Sequence, residues 1–255
     1  MISYYLDIFV LSILQGITEF IPVSSSSHLL LFSKFKNFNY MSLEIDVSLH
    51  LGSLIAIIIY FWKDLLNIYK NKILINLIFF GSIPLIICGY FFYNFGIIDY
   101  VRNLKVIAWT TLIFGILLFF ADKKIQNKKI EKDLNLKSIF TIGFFQALSI
   151  IPGVSRSGIV ITACRFSKFK RVDAAKISFL LSIPALAGAS VLSLINMPDK
   201  SLDFNLAICL SILFSFIFSY ITIKLLLYYL EKFSLKIFVY YRLVLSLLLF
   251  IIVYT

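Results

Sequence analysis

Residues 15–28 read QGITEFIPVSSSSH and lie inside an apolar segment, residues 4–32, that would otherwise form one buried helix. A glutamine, a carboxylic acid, a proline, four serines and a histidine are set into it in succession. In hydrocarbon each such group costs several kcal/mol unless it is paired or lines a wet cavity. Pro22 cannot donate to a helix ladder, so the helix should break there. The serines that follow are good N-caps for a second half-helix starting near Ser25 or Ser26. Broken backbone at membrane depth is tolerated only where protein or a water-filled site covers it. The stretch therefore reads as a functional site.

The surrounding chain makes lipid its solvent. Of 255 residues, 60% are hydrophobic and only 15% charged, far from the balance of a soluble domain. MISYYLD precedes the first apolar run without a Lys or Arg, unlike a cleavable signal peptide. Cys88, Cys164 and Cys209 are scattered through apolar segments without metal spacing and read as small packing residues, not disulfides. The net charge of +11 does not point to nucleic acid, because the basic residues sit in short loops between apolar spans.

Apolar runs at 47–62, 73–95 and 106–121 follow the first broken segment, with Pro84 expected to kink the second. The first and third are short of the usual ~20 residues, so their helices should extend into the flanks. After a lysine-rich connector, 122–137, the pattern starts again. Residues 138–166 form a second broken segment, interrupted at PGVSRSG (152–158), and spans follow at about 172–197, 204–230 and 237–254. QGITEFIPVSSS and QALSIIPGVSRS share an order of residue types, an imperfect internal repeat.

A re-entrant hairpin does not change sides of the membrane, but three spans do. The expected fold is thus an all-α polytopic membrane protein of two inverted-topology repeats, each one re-entrant broken helix plus three transmembrane helices. It is a single integral membrane domain over 1–255, with repeats at 1–121 and 138–255. One set of loops holds seventeen Lys and Arg, the opposite set five: Lys34, Lys36, Arg102, Lys105 and Lys200. The positive-inside rule puts the first set in the cytoplasm and both termini outside. The hairpin tips then meet near the midplane, where the site should lie.

The two broken motifs resemble those of the undecaprenyl-diphosphatases, bacterial membrane enzymes also known as bacitracin-resistance proteins. That family carries Glu/Gln-x-x-x-Glu followed by Pro-Val-Ser-Ser and a histidine, here QGITEFIPVSSSSH. It also carries Pro-Gly-x-Ser-Arg-Ser-x-x-x-Thr, here PGVSRSGIVIT (152–162). VSLHLGSLIA, FLLSIPALAGAS and VYYRLVLSLLL add looser similarity, so the likeness covers nearly the full length. It implies hydrolysis of undecaprenyl diphosphate to undecaprenyl phosphate and inorganic phosphate, recycling the lipid carrier of cell-wall precursors in the bacterial inner membrane. It also implies an active site open to the outer face and a divalent cation, Mg²⁺ or Ca²⁺. By motif position the catalytic residues are Glu19, Ser25, His28 and Arg156. Gln15, Ser24, Ser26, Ser27, Gly153, Ser155, Ser157 and Thr162 are candidates for binding substrate. The likeness permits a homodimer.

The residue types suit that chemistry. Arg156 is always charged, and its planar fork matches phosphate oxygens; a snorkelling or structurally paired arginine is the bland alternative. Gly153, Ser155 and Ser157 can present backbone N–H groups to phosphate, or simply form a turn. Ser25 and His28 stand three apart and share a helical face. Ser25 is the candidate nucleophile with His28 as base and then acid; an N-cap and a structural histidine are the alternatives. Ser24, Ser26 and Ser27 are caps or phosphate donors. Glu19 can orient His28, hold the cation, activate water or act as a neutral structural group, and Gln15 lies one turn earlier on its face. Because Gln15 replaces a carboxylate found in some members, a cation would be held largely by substrate phosphate and water. His50, beside Asp46, reads as an interfacial structural residue, and Lys224 and Arg242 as snorkelling cations. A transporter or flippase of a polyprenyl phosphate lipid is the competing function, since broken helices in inverted repeats are a transporter architecture.

Overall fold

The computed structural model describes residues 2–35, 43–66, 68–195 and 206–254. The expected polar link at 33–46, with Lys36, and the loop holding Lys200 lie partly outside them. Helices α1 (Ile2–Thr18) and α2 (Ser25–Phe35) flank the first break. They are followed by α3 (Leu43–Tyr60), the short α4 (Trp62–Leu66), α5 (Ile68–Asn94), the short α6 (Ile97–Val101) and α7 (Leu104–Asp122). One turn, α8 (Ile130–Asp133), interrupts the connector. Then α9 (Leu136–Ala147), a 3-10 turn (Leu148–Ile150) and α10 (Arg156–Phe166) flank the second break. The chain continues through α11 (Arg171–Ile195), α12 (Leu206–Lys232) and α13 (Lys236–Tyr254).

Among the described residues five helices are long and apolar enough to cross a membrane: α5, α7, α11, α12 and α13. They carry large apolar side chains on their outer faces, such as Phe79, Ile86, Trp109 and Leu247, which a chain surrounded by lipid has no reason to bury. The run at 47–62, expected as a sixth span, is α3. It extends back to Leu43 as its short apolar stretch required, but its first turn holds Glu44 and Asp46. It packs against α1, α11 and α12.

Between apolar helices in lipid, association rests on close packing and hydrogen bonds. Ser211, Ser215 and Ser219 recur every four residues on one buried face of α12. Ser215 Oγ donates to the Leu49 carbonyl at 2.6 Å, and the Ser53 and Ser219 hydroxyls meet at 2.9 Å. On the same helix, Gly16 of α1 lies so near Phe218 that an added Cβ would come within 2.6 Å of that residue's Cβ.

The prolines act differently in different places. In the first break α1 stops at Thr18, four residues before Pro22, where the ring would meet a helical carbonyl. Pro84 and Pro184 instead lie inside α5 and α11, and at the expected kink the helix continues across Pro84. Neighbouring helices and polar side chains can satisfy the freed carbonyl.

At the connector end one acidic residue ties three segments together. Asp122, buried at the end of α7, accepts from Arg171 Nε at 2.7 Å, Arg171 Nη2 at 3.1 Å and the Leu235 N–H at 3.1 Å. Arg165 is fully buried beside it and donates to the carbonyls of Asp122, Lys124 and Phe169.

Candidate active site

The two breaks meet. In each, a serine with positive φ precedes a half-helix: Ser24 (82°) before α2 and Ser155 (69°) before α10. Ser155 caps its helix, Oγ accepting from the Gly158 N–H at 3.1 Å, while Ser24 Oγ meets the Ser27 hydroxyl at 2.9 Å. Ser25 and Arg156 therefore occupy the first helical positions of α2 and α10, where backbone N–H groups lack helical partners and the helix dipole favours anions.

Glu19 sits in the turn just past α1, 6% exposed. It was expected inside a half-helix, but the early stop forced by Pro22 places it at the break. Three groups converge on it: Arg156 Nη2 donates to Oε1, Ser25 Oγ donates to Oε2 at 2.6 Å, and Gln15 Nε2 donates to Oε2 at 3.1 Å. Gln15 thus reaches Glu19 as their shared helical face required. Ser157 Oγ donates to the Ile21 carbonyl at 2.9 Å, a second link between the breaks. Arg156 Nη1 is buried without a hydrogen-bond partner among the described residues. An orphan guanidinium N–H beside two helix N-termini is a place for an anion.

A cavity of about 480 Å³ opens onto this cluster. Its polar end holds Glu19, Ser24, Ser25, Ser26, Ser155 and Arg156, and its apolar wall runs between α5 and α11 past Leu85, Ile86, Leu186 and Leu192. The other residues expected at the site stand behind it. Ser27 is buried under Ser24, and Thr162 Oγ1 donates along its own helix to the Gly158 carbonyl at 2.7 Å. Gly153 holds φ at 86°, and a Cβ there would approach the Ile107 carbonyl to 2.9 Å. Its role is to let the break pack on α7.

His28 and Ser25 are not joined. His28 Nδ1 donates to the Ser24 carbonyl at 2.7 Å, and its Nε2 meets the Tyr241 hydroxyl, with the rings stacked. The Ser25 hydroxyl turns to Glu19 instead. His50, expected to be interfacial, lines the cavity. The sequence signal was Asp46, one helical turn earlier on the same face.

Arg242 was expected to snorkel but is fully buried. Its guanidinium donates to the carbonyls of Pro22 (3.3 Å), Val154 (3.1 Å) and Gly153 (2.9 Å), and Nε donates to that of Thr111 (3.3 Å). Breaking two helices leaves carbonyls without a ladder, and this one cation serves both breaks. Lys224 is exposed, as a snorkelling lysine should be.

A protein-only metal site does not fit. Among the described residues no three His, Cys, Asp or Glu gather to hold an ion, and both Glu19 oxygens are already engaged.

Fold and site together define a multi-pass, all-α membrane protein with an anion-adapted centre where two broken helices meet. The chain belongs to the family described as bacitracin resistance protein BacA, whose profile matches residues 8–248. It is 53% identical over 255 residues to an undecaprenyl-diphosphatase of Pelagibacter ubique (strain HTCC1062), covering 100% of both chains. It is 40% identical over 250 residues to the undecaprenyl-diphosphatase of Elusimicrobium minutum (strain Pei191), covering 94% of this chain and 95% of that one. With the undecaprenyl-diphosphatase of Jannaschia sp. (strain CCS1) it shares 36% over 266 residues, 97% and 98% of the two chains.

Proposed function

We propose that this chain hydrolyses undecaprenyl diphosphate to undecaprenyl phosphate and inorganic phosphate. In the bacterial plasma membrane it thereby recycles the carrier lipid for cell-wall synthesis and confers the resistance for which its family is described. The observation that carries this reading is the cavity that joins an apolar wall between α5 and α11 to Glu19, Ser25 and Arg156. An isoprenoid chain suits the wall, and a diphosphate suits the N-termini of α2 and α10 with the orphan Arg156 Nη1.

In this reading Ser25 Oγ attacks the terminal phosphorus and its proton passes to Glu19, already 2.6 Å away. The bridging P–O bond breaks, and the lipid phosphate leaves with its electron pair. Arg156 balances the charge on the transferring phosphoryl group. His28 positions the start of α2 by holding the Ser24 carbonyl. A divalent cation would be held largely by the substrate phosphates and water, where it would help neutralise their charge.

The inverted-repeat arrangement belongs to this proposal. Its support is paired packing: α1 lies on α12 as α9 lies on α5, and α3 lies on α12 as α11 lies on α5. The positive φ at Ser24 and Ser155 adds a matched pair at the breaks. The loop charges favour a cytoplasmic connector, external termini and a site open to the outer face.

The test is phosphate release from undecaprenyl diphosphate by purified protein in detergent, where no second compartment exists. A flippase would release none. Release no faster than from heat-denatured protein would sink the phosphatase reading.

A further inference from the structure

The two histidines differ in what they have left to offer. Both nitrogens of His28 are taken, by the Ser24 carbonyl and the Tyr241 hydroxyl. His50 commits only Nδ1, which meets the Asp46 carbonyl at 2.8 Å and lies 3.7 Å from the Asp46 carboxylate. A carbonyl can only accept, so Nδ1 carries the proton and neutral His50 presents an unprotonated Nε2. With Nδ1 turned back along α3, Nε2 is on the opposite edge of a ring that forms part of the cavity wall. Among the described residues Nε2 has no hydrogen-bond partner. A carbonyl that holds Nδ1–H, a carboxylate 3.7 Å from the same nitrogen and a free base at Nε2 orient the ring for base catalysis as the third group of a dyad or triad does. The charged groups that act on His50 are Asp46 on its own helix, Glu19 at the first break and Arg156 on α10.

From this geometry we infer that His50 is a catalytic residue, the general base for the water that releases inorganic phosphate, with Asp46 as its positioning residue. The assignment rests on the phosphatase reading above and supplies what that reading lacks. Glu19 is protonated once Ser25 has been phosphorylated, so another group must activate the water. In the second step the water oxygen forms a bond to phosphorus while one water proton passes to His50 Nε2. The bond from phosphorus to Ser25 Oγ breaks, and Glu19 returns its proton to Oγ. His50 then loses its proton to solvent as phosphate leaves, so the cycle consumes one water and closes with every group restored.

The experiment uses full-length protein in detergent and a polyprenyl diphosphate labelled with ³²P at the terminal phosphate. Wild type, His50→Gln, Asp46→Asn and His28→Ala are compared, with thermal melting to confirm folding. For His50→Gln the steady-state release of phosphate should fall at least about 100-fold, as for loss of a general base. One equivalent of lipid monophosphate per protein should still appear in a burst, with ³²P retained on Ser25. The acid limb of its kcat–pH profile should also disappear. Asp46→Asn should give a smaller loss with the same retained label, and it carries the test if His50→Gln melts early. Release within threefold of wild type in His50→Gln would overturn the assignment. So would a folded, slow variant without label on Ser25, or label retained in His28→Ala but not in His50→Gln. Failure of the phosphatase reading itself is distinguishable, because wild type would then release no phosphate.

Discussion

Replacing Arg156 by Ala should remove charge stabilisation from the transition state and leave Glu19 buried without its cation. By analogy with the loss of one oxyanion donor, kcat/KM should fall by roughly a hundred- to thousand-fold, about 3–4 kcal/mol. Arg156→Lys should recover only part, because a point charge cannot reproduce the planar fork that spans Glu19 and an anion. Initial rates of phosphate release measure both, and a folded Arg156→Ala enzyme keeping a third of wild-type kcat/KM would contradict the shared site. Ser25→Ala should abolish turnover while substrate still binds, since the hydroxyl donates to Glu19 but carries no cap. Near-normal turnover by that variant would leave water as the attacking group. Arg156 and Glu19 were legible in the sequence because polar groups in an apolar run are costly and need a reason, whereas only the family resemblance picked Ser25 out of its run of four serines. The partner of Ser25 was not legible: spacing on one helix favours His28, but the turn before Pro22 swings Glu19 in from outside that helix.

Between elements, two buried arginines decide how the breaks and the connector end are held. Arg242→Met preserves side-chain length but strands the carbonyls at Pro22, Gly153 and Val154. Each orphaned buried acceptor costs about 1–3 kcal/mol, so the variant should lose at least ~3 kcal/mol and melt well below wild type in detergent. An unchanged melting temperature would mean that water replaces the guanidinium at both breaks. Asp122→Ala should cost about 3–5 kcal/mol, because it leaves Arg165 buried with carbonyls but no carboxylate. Chemical denaturation in mixed micelles can rank it against an exposed control such as Glu131→Ala. Helix boundaries were largely readable, since apolar runs and flanking charges set them. The position of Arg242 was not: one arginine six residues into α13 fits a snorkelling cation until the breaks of two other helices are placed against it.

For the whole molecule the expectation is a cytoplasmic connector with external termini. In a background without Cys88, Cys164 and Cys209, a cysteine at Arg102 should react with an impermeant maleimide added to sealed cells. A cysteine at Asn127 should react only after lysis. The reverse pattern would invert the orientation and place the cavity on the other face. Seventeen cations against five make this an electrostatic argument about loops, independent of how the helices pack.

Composition and pattern alone determined that the chain lives in lipid, where its helices run, where two of them break and which polar groups lie at the breaks. These follow from local energetics: apolar length, the missing N–H of proline and the cost of an unpaired polar group in hydrocarbon. Only the tertiary structure decided that Glu19 takes Ser25, Gln15 and Arg156 together, that His28 is turned to Tyr241, and that His50 faces the cavity. It also decided that Arg242 serves both breaks. Those pairings join residues up to 220 positions apart. They depend on the relative placement of separate helices, which no periodicity within one helix encodes.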